Sequence, residues 1–372
     1  MKKIHILHTE ASPGWGGQEI RILQEAIGMR ERGYKVILAI QKGGGLVSYA
    51  RKEGFTVYEV PFSKKRALTA FLILLKLIFR EKVDLINTHS SLDAWIGGIA
   101  ARLLRKKIIR TRHLSTPIHG RLNRFLLYRC LADAIVTTCE ETAVILRNAM
   151  GFSKMRCLSI PTGVEPKKMT FDPIKVEEFR RSLGLSSNEC LVGTLAVLRG
   201  WKGISDLLLA AKELQSFPNL KWLIIGGGVS EPHFRKEWKE LGLERRVFFT
   251  GHLDSPYVAL ASLDIFLLLS RANEGVSQAS LQAGWLRKPL ITTPIGGLPE
   301  VCISGETGFI VPPQSPEEVA LAVKRLAEDP TCRKEMGNRA HALVKDRFLF
   351  CHTLDKMENL YSSLVRHGAL YP

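Results

Sequence analysis

Short apolar runs alternate with helical stretches along the whole chain. In the first half the runs fall at residues 4–8, 35–40, 56–60, 84–87, 107–112 and 134–138. In the second half they fall at 190–196, 221–225, 247–249, 265–268, 290–292 and 308–311. Most are continuously apolar rather than strictly alternating, which suits parallel strands covered on both faces. Helical periodicity between them predicts βαβ units. Near the middle, SIPTGVEPKKMTFDP (159–173) has prolines, a glycine and lysines without periodicity, and reads as a linker. Two doubly wound α/β domains are therefore expected, residues 1–165 and 166–351, with a last helix in 352–372 packing back on the first. Ligands of such sheets gather beyond the carboxyl ends of the strands, in this layout in the cleft between the domains.

Composition adds little until charge is divided along the chain. At 372 residues, 45% hydrophobic and 24% charged, the balance is that of a soluble globular protein. Seven scattered cysteines with no C-x-x-C pair argue against a zinc site or a disulfide framework and favour a reducing compartment. MKKIHILHTE has too short an apolar run for a cleavable secretory signal, so a cytoplasmic location is expected. The net charge of +17 is lopsided: residues 1–165 hold 27 Lys and Arg against 13 Asp and Glu, the remainder 26 against 23. A basic first half suggests a polyanionic partner, either nucleic acid or an anionic membrane surface. SKKRALTAFLILLKLIFREK (63–82) is apolar, flanked by cations and too short to span a bilayer comfortably. It reads as an interfacial helix on the inner face of a membrane or as a helix buried against the first sheet. HGRLNRFLLYRC (119–130) adds a second cationic and apolar stretch. Nucleic acid is disfavoured, because no recognised module interleaves these cations with exposed aromatics.

Candidate chemistry begins at ILHTEASPGWGGQEIRILQEA (6–26), an apolar run, a glycine-rich turn and a helical pattern. The dinucleotide fingerprint G-x-G-x-x-G fails there: Gly14 and Gly16 fit, but Glu19 takes the third glycine position. In TLAVLRGWKGISDLLLA (194–210), Arg199 and Lys202 follow a strand and Gly203 opens a helix, a layout for anion binding that solvated cations would also satisfy. LIIGGGVSEPHF (223–234) runs a strand into three glycines, either for close approach of a ligand or for a tight turn alone. In SRANEGVSQASLQAGW (270–285), Glu274 sits beside the free amides of a helix start, suited to a sugar hydroxyl or to plain charge stabilisation of the helix.

These pieces together resemble the retaining, GT-B-fold glycosyltransferases of family 4. The resemblance runs through Gly16, Gly17 and Glu19, IPTGVE (160–165), the Arg199/Lys202 pair, the Glu274 loop and GGLPE…GETGFIVPP. It implies two Rossmann-like doubly wound parallel-sheet domains facing across a cleft. Also implied are a nucleotide-sugar donor, with UDP-sugars the prior, and a glycan or lipid-linked acceptor in cell-envelope polysaccharide or lipopolysaccharide synthesis. Arg199 and Lys202 would neutralise the departing diphosphate. Glu274 would contact the transferred sugar near the amides of Gly275, Val276 and Ser277, and Gly16 and Gly17 would bring backbone amides to the diphosphate. His113, in TRHLSTP, matches a histidine near the reacting sugar, although a strand-end histidine bound to backbone is the plainer reading. The family's second glutamate, which typically binds ribose hydroxyls, is Gln282 here. No D-x-D occurs, so no metal and no other cofactor is expected. A GT-B-fold nucleotide-sugar epimerase and a non-catalytic glycan-binding protein on the same scaffold are the alternatives.

Overall fold

The computed structural model describes residues 3–113, 120, 125–186, 188–217 and 219–366. The chain divides into two compact units, Met1–Pro161 with His352–Pro372, and Thr162–Cys351.

The first unit is built on strands β1 (His5–Glu10), β2 (Lys35–Gln41), β3 (Val57–Val60), β4 (Leu85–Thr88), β5 (Lys107–Arg112), β6 (Ala134–Thr137) and β7 (Cys157–Ser159). They form one parallel sheet in the order β3-β2-β1-β4-β5-β6-β7. Alternate positions of the central strands face two different layers. Leu7, Ile37, Ala39, Ile86 and Ile108 pack on Leu74, Leu77 and Ala100 of helices Ala67–Arg80 and Ser91–Leu103. On the other side the neighbours His8 and Asn87 are polar and buried. There Asn87 donates to the Tyr361 hydroxyl at 3.0 Å, and that hydroxyl donates to Glu25. Tyr361 belongs to helix Phe350–Arg366, whose Asp355 and Glu358 each accept from Arg32 at 2.6 Å. Polar pairing as well as apolar packing thus holds this helix on the sheet of its unit.

The second unit carries β8 (Cys190–Leu195), β9 (Leu220–Ile225), β10 (Val247–Gly251), β11 (Ile265–Leu268), β12 (Leu290–Thr292) and β13 (Gly308–Ile310). Its parallel order is β10-β9-β8-β11-β12-β13, around a core that includes the fully buried Trp222. In each sheet the winding direction reverses once, between β1 and β4 and between β8 and β11. Loops diverge at such reversals and leave room for a ligand.

Each expected strand has an observed counterpart, displaced by at most two residues at an end. β7 had no expected counterpart. Its residues, Cys-Leu-Ser, run straight into the aperiodic stretch at 159–173. Segment 63–82 forms a 3-10 turn, Lys64–Arg66, and helix Ala67–Arg80, which buries Ala70, Leu74, Leu77 and Ile78 and leaves Leu68, Leu72 and Phe79 exposed. Of the second basic stretch, residues 119 and 121–124 lie outside the described residues; Phe125–Cys130 forms a short π-helix with Leu127 and Tyr128 buried. Among the described residues no helix is long and apolar enough to cross a membrane.

Candidate active site

Three loops of the second unit meet at the carboxyl ends of β8, β11 and β12. After β8 the chain turns through Arg199–Lys202, with Lys202 N–H donating to the Arg199 carbonyl at 3.0 Å. Gly203 then starts helix Ile204–Glu213 with φ +68°, and a Cβ there would lie 2.0 Å from the Leu269 carbonyl oxygen. Only glycine combines that left-handed backbone with so close an approach. The loop after β11 is tied to this turn. Arg271 N–H donates to the Trp201 carbonyl at 2.7 Å, and the Arg271 guanidinium reaches Asp206 at 2.7 and 3.3 Å.

These ties place Glu274 against Lys202. One carboxylate oxygen of Glu274, Oε1, accepts from Lys202 Nζ and from Ser270 Oγ, the latter at 2.6 Å. Glu274 is only 5% exposed, so an unpaired charge there would be costly and the ammonium offsets it. The loop after β12 closes the arrangement: Thr293 Oγ1 donates to the Ser270 carbonyl at 2.5 Å. In the same loop Gly296, at φ +59°, approaches so closely that a Cβ would lie 2.0 Å from the Glu274 carbonyl oxygen.

Beyond Glu274, Ser277 caps helix Gln278–Trp285 by accepting from Ser280 N–H. The amides of Gly275, Val276 and Ser277 donate to no other group among the described residues. They are the unpaired donors of a helix start and favour an anion or a hydroxyl oxygen. Arg199 is exposed and pairs with no carboxylate among the described residues; its guanidinium lies 5.2 Å from the centre of the Trp201 ring. Gln282, half-buried on the helix that follows, has no side-chain hydrogen bond among the described residues. Lys202, a buried carboxylate and a row of free amides therefore meet where β8 and β11 part, with the exposed Arg199 three residues before the lysine on the same turn.

The three glycines after β9 have a different explanation. A Cβ on Gly226 would come within 2.1 Å of the Ala196 oxygen, and one on Gly228 within 2.5 Å of the Leu198 oxygen. Leu198 N–H also donates to the Gly227 carbonyl at 3.0 Å. Loop-to-loop packing accounts for these glycines, and the packing supports the Arg199 turn.

In the first unit, Gly16 caps helix Gly17–Glu31, and a Cβ on Gly17 would meet nothing within 4 Å. No neighbour among the described residues demands glycine at that exposed position. Below the loop, Glu10 Oε1 accepts from Ser12 N–H at 2.6 Å and from Ser90 Oγ, while Oε2 accepts from Gln18 Nε2 at 2.5 Å. Burial, with the Asp93 charge nearby, pushes the Glu10 carboxyl up to about 7; burial pushes Asp93 up to about 6. His113 ends a chain of three buried histidines: His8 Nδ1 to His89 Nε2 at 2.9 Å, and His89 Nδ1 to His113 Nε2 at 2.9 Å. Burial holds all three below the ordinary histidine value, and hence neutral near pH 7.

The raised Glu10 carboxyl gives a signed prediction. The folded state holds the proton more tightly than the unfolded chain, so this stabilising contribution is complete below about pH 4.5 and is lost as pH rises through about 7. Glu10→Gln cannot ionise and escapes that loss. Its melting temperature relative to wild type should rise between about pH 5 and pH 8.5, by about 2–4 °C per kcal/mol. A difference independent of pH would show that Glu10 is not held protonated.

Ser270, Thr293, Asp206 and Arg271 were missing from the sequence-derived site, and so were His8 and Glu10. Ser270 and Arg271 lie inside the stretch read as chemical, but only the fold shows which atoms they meet. His89, like His8 absent from the residues the sequence points to, is the middle member of the histidine chain.

Two Rossmann-like units, each a parallel sheet whose winding reverses once, make up the GT-B fold of glycosyltransferases. The chain belongs to glycosyltransferase family 4: residues 15–168 match the family model described as Glycosyltransferase Family 4, and residues 175–343 the one described as Glycosyl transferases group 1. It is similar to the capsular polysaccharide biosynthesis glycosyltransferase CapM of Staphylococcus aureus, 24% identical over 81% of this chain and 82% of the relative. A UDP-Gal:alpha-D-GlcNAc-diphosphoundecaprenol alpha-1,3-galactosyltransferase of Escherichia coli is 25% identical over 98% of both chains. Among solved structures, Anabaena HepE in complex with UDP-glucose superposes with a TM-score of 0.85 at 22% identity, over 97% of this chain and all of that one.

Proposed function

We propose that this glycosyltransferase moves a sugar, with retention, from a nucleotide-sugar donor to a glycan or lipid-linked acceptor of cell-envelope polysaccharide or lipopolysaccharide synthesis. It would act in the cytoplasm, with peripheral contact to the inner face of an anionic membrane. The observation that carries the reading is the Arg199, Lys202 and Glu274 cluster at the β8/β11 reversal. Anabaena HepE, with UDP-glucose bound, and the Escherichia coli relative, named for UDP-Gal, support a UDP-sugar donor.

Each residue then has a task that its surroundings suit. Negative charge grows on the diphosphate as the glycosidic bond breaks, so fixed cations stabilise the transition state more than the ground state. Arg199, with no carboxylate partner among the described residues, offers a fork to phosphate oxygens. Lys202 has three N–H donors; one held by Glu274 leaves two for phosphate. Glu274 contacts the transferred sugar, and the amides of Gly275, Val276 and Ser277 serve its hydroxyls or the diphosphate. Gln282 presents its amide to the ribose, and the amides at Gly16 and Gly17 approach the diphosphate. His113, bonded through Nε2 to His89, presents Nδ1 to a sugar hydroxyl. In a front-face displacement the leaving diphosphate oxygen takes the proton of the acceptor hydroxyl as the new glycosidic bond forms, and no carboxylate nucleophile is required.

The protein's own cations supply the counter-charge in this scheme. Turnover of a nucleotide-sugar should therefore persist in EDTA, with transfer product and nucleoside diphosphate appearing together. Complete loss on chelation, restored by a divalent metal, would contradict this scheme. An epimer or free sugar released without acceptor would point to an epimerase instead.

A further inference from the structure

We infer that the helical layer over one face of the first sheet is a docking surface for an anionic lipid bilayer. The inference rests on the membrane contact proposed above and gives it a place; helix Ala67–Arg80 is only one edge of that surface. Ile86, Ile108 and Ile135 point to the same side of the sheet, and the segments covering them are Ala67–Arg80, Ser91–Leu103, Phe125–Cys130 and Glu140–Met150. Eight of the nine exposed large apolar side chains described in the first unit stand on this layer. Phe79 is 80% exposed, Leu68 71% and Leu103 65%, with Leu72, Phe125 and Ile145 each more than half exposed. The helices on the opposite side carry one such residue, Tyr49. Scattered exposed apolar residues are ordinary, but such concentration on one layer is a mark of an interaction surface.

Charge selects the occupant. Lys64, Lys65 and Arg66 lead into the first helix; Lys76, Arg80 and Lys82 are exposed along or just beyond it. Arg105 and Arg129 extend the cations toward the other segments, whereas the exposed acids of these segments are Glu140 and Glu141. Apolar side chains among long cationic ones suit the boundary between acyl chains and anionic headgroups, where lysine and arginine stems lie along the apolar zone and their charges reach phosphate. A second copy of the chain would set two cationic rims against each other in a twofold contact, and that repulsion disfavours it.

The test is sedimentation of the full chain with vesicles of phosphatidylcholine, alone or mixed with phosphatidylglycerol, at about 0.05 M and about 0.5 M salt. Binding is expected on the mixed vesicles at low salt and should weaken at least about tenfold in high salt or without the anionic lipid. Leu72→Ser with Phe79→Ser should weaken it by about tenfold again. Both side chains are exposed, so the variant should keep the wild-type melting temperature and the same thermal response to UDP. Equal sedimentation with and without phosphatidylglycerol would overturn the inference, as would a double variant that binds like wild type. So would a dimer in velocity sedimentation that the double variant disperses, because a second copy would then cover the face. The UDP response is read on the same samples: its loss in wild type would count against the donor reading and leave the docking result standing.

Discussion

Replacing Arg199 by alanine should lower kcat by about 10²–10³-fold while changing KM for the donor only a few-fold. The expectation follows from where the guanidinium stands. It projects into solvent beside Trp201, at the carboxyl end of β8, with no carboxylate among the described residues to hold it. A cation so placed is available to a leaving diphosphate, and its contribution grows as charge accumulates on the bridging oxygen. Removing it should cost the fold little, because an exposed arginine contributes little to stability. Steady-state kinetics and a melting curve on the same preparation check both halves. A rise in KM with unchanged kcat would assign Arg199 to ground-state binding alone.

Lys202→Ala should have the opposite balance, losing activity and stability together. Glu274 is buried, and the ammonium is its only cationic partner among the described residues. Without it the carboxylate keeps only the Ser270 hydroxyl, and breaking a buried ion pair from one side typically costs about 3–5 kcal/mol. Lys202 is itself partly solvated, which places the expected loss toward the lower end, about 3 kcal/mol. The combination Lys202→Ala with Glu274→Gln removes the stranded charge, so it should recover much of that stability while remaining inactive. Urea unfolding of the four proteins in a double-mutant cycle measures the coupling. A Lys202→Ala variant as stable as wild type would mean that solvent screens Glu274 far more than its burial indicates.

How much of this was legible in the sequence depends on the range of the interaction. Parallel strands buried on both faces leave continuous apolar runs, and the fold could be read from them; β7, Cys-Leu-Ser, adjoins the aperiodic stretch at 159–173 and does not stand out from it. The Glu274 loop could be read because a carboxylate, a glycine and a capping serine lie within four residues of one another. What holds Glu274 could not. Ser270 and Thr293 are single hydroxyls in loops, and they meet only because β11 and β12 run side by side. The glycines at 226–228 read equally as a ligand loop or a tight turn, because the backbone that Gly226 and Gly228 approach lies thirty residues earlier, at Ala196 and Leu198. The histidine chain is a still longer-range case: His8 lies within β1, His89 and His113 just beyond the ends of β4 and β5, and strand order brings them within hydrogen-bonding distance.

The most direct measurement is the thermal stability of the purified protein in EDTA against UDP-, GDP-, ADP- and CMP-linked sugars and the free nucleotides. A ligand at about one hundred times its Kd adds roughly 2.7 kcal/mol to the folded state, which is visible as a raised melting temperature. The account predicts a rise with UDP-sugars and UDP, diminished in Lys202→Ala. No rise with any nucleotide or nucleotide-sugar would contradict it.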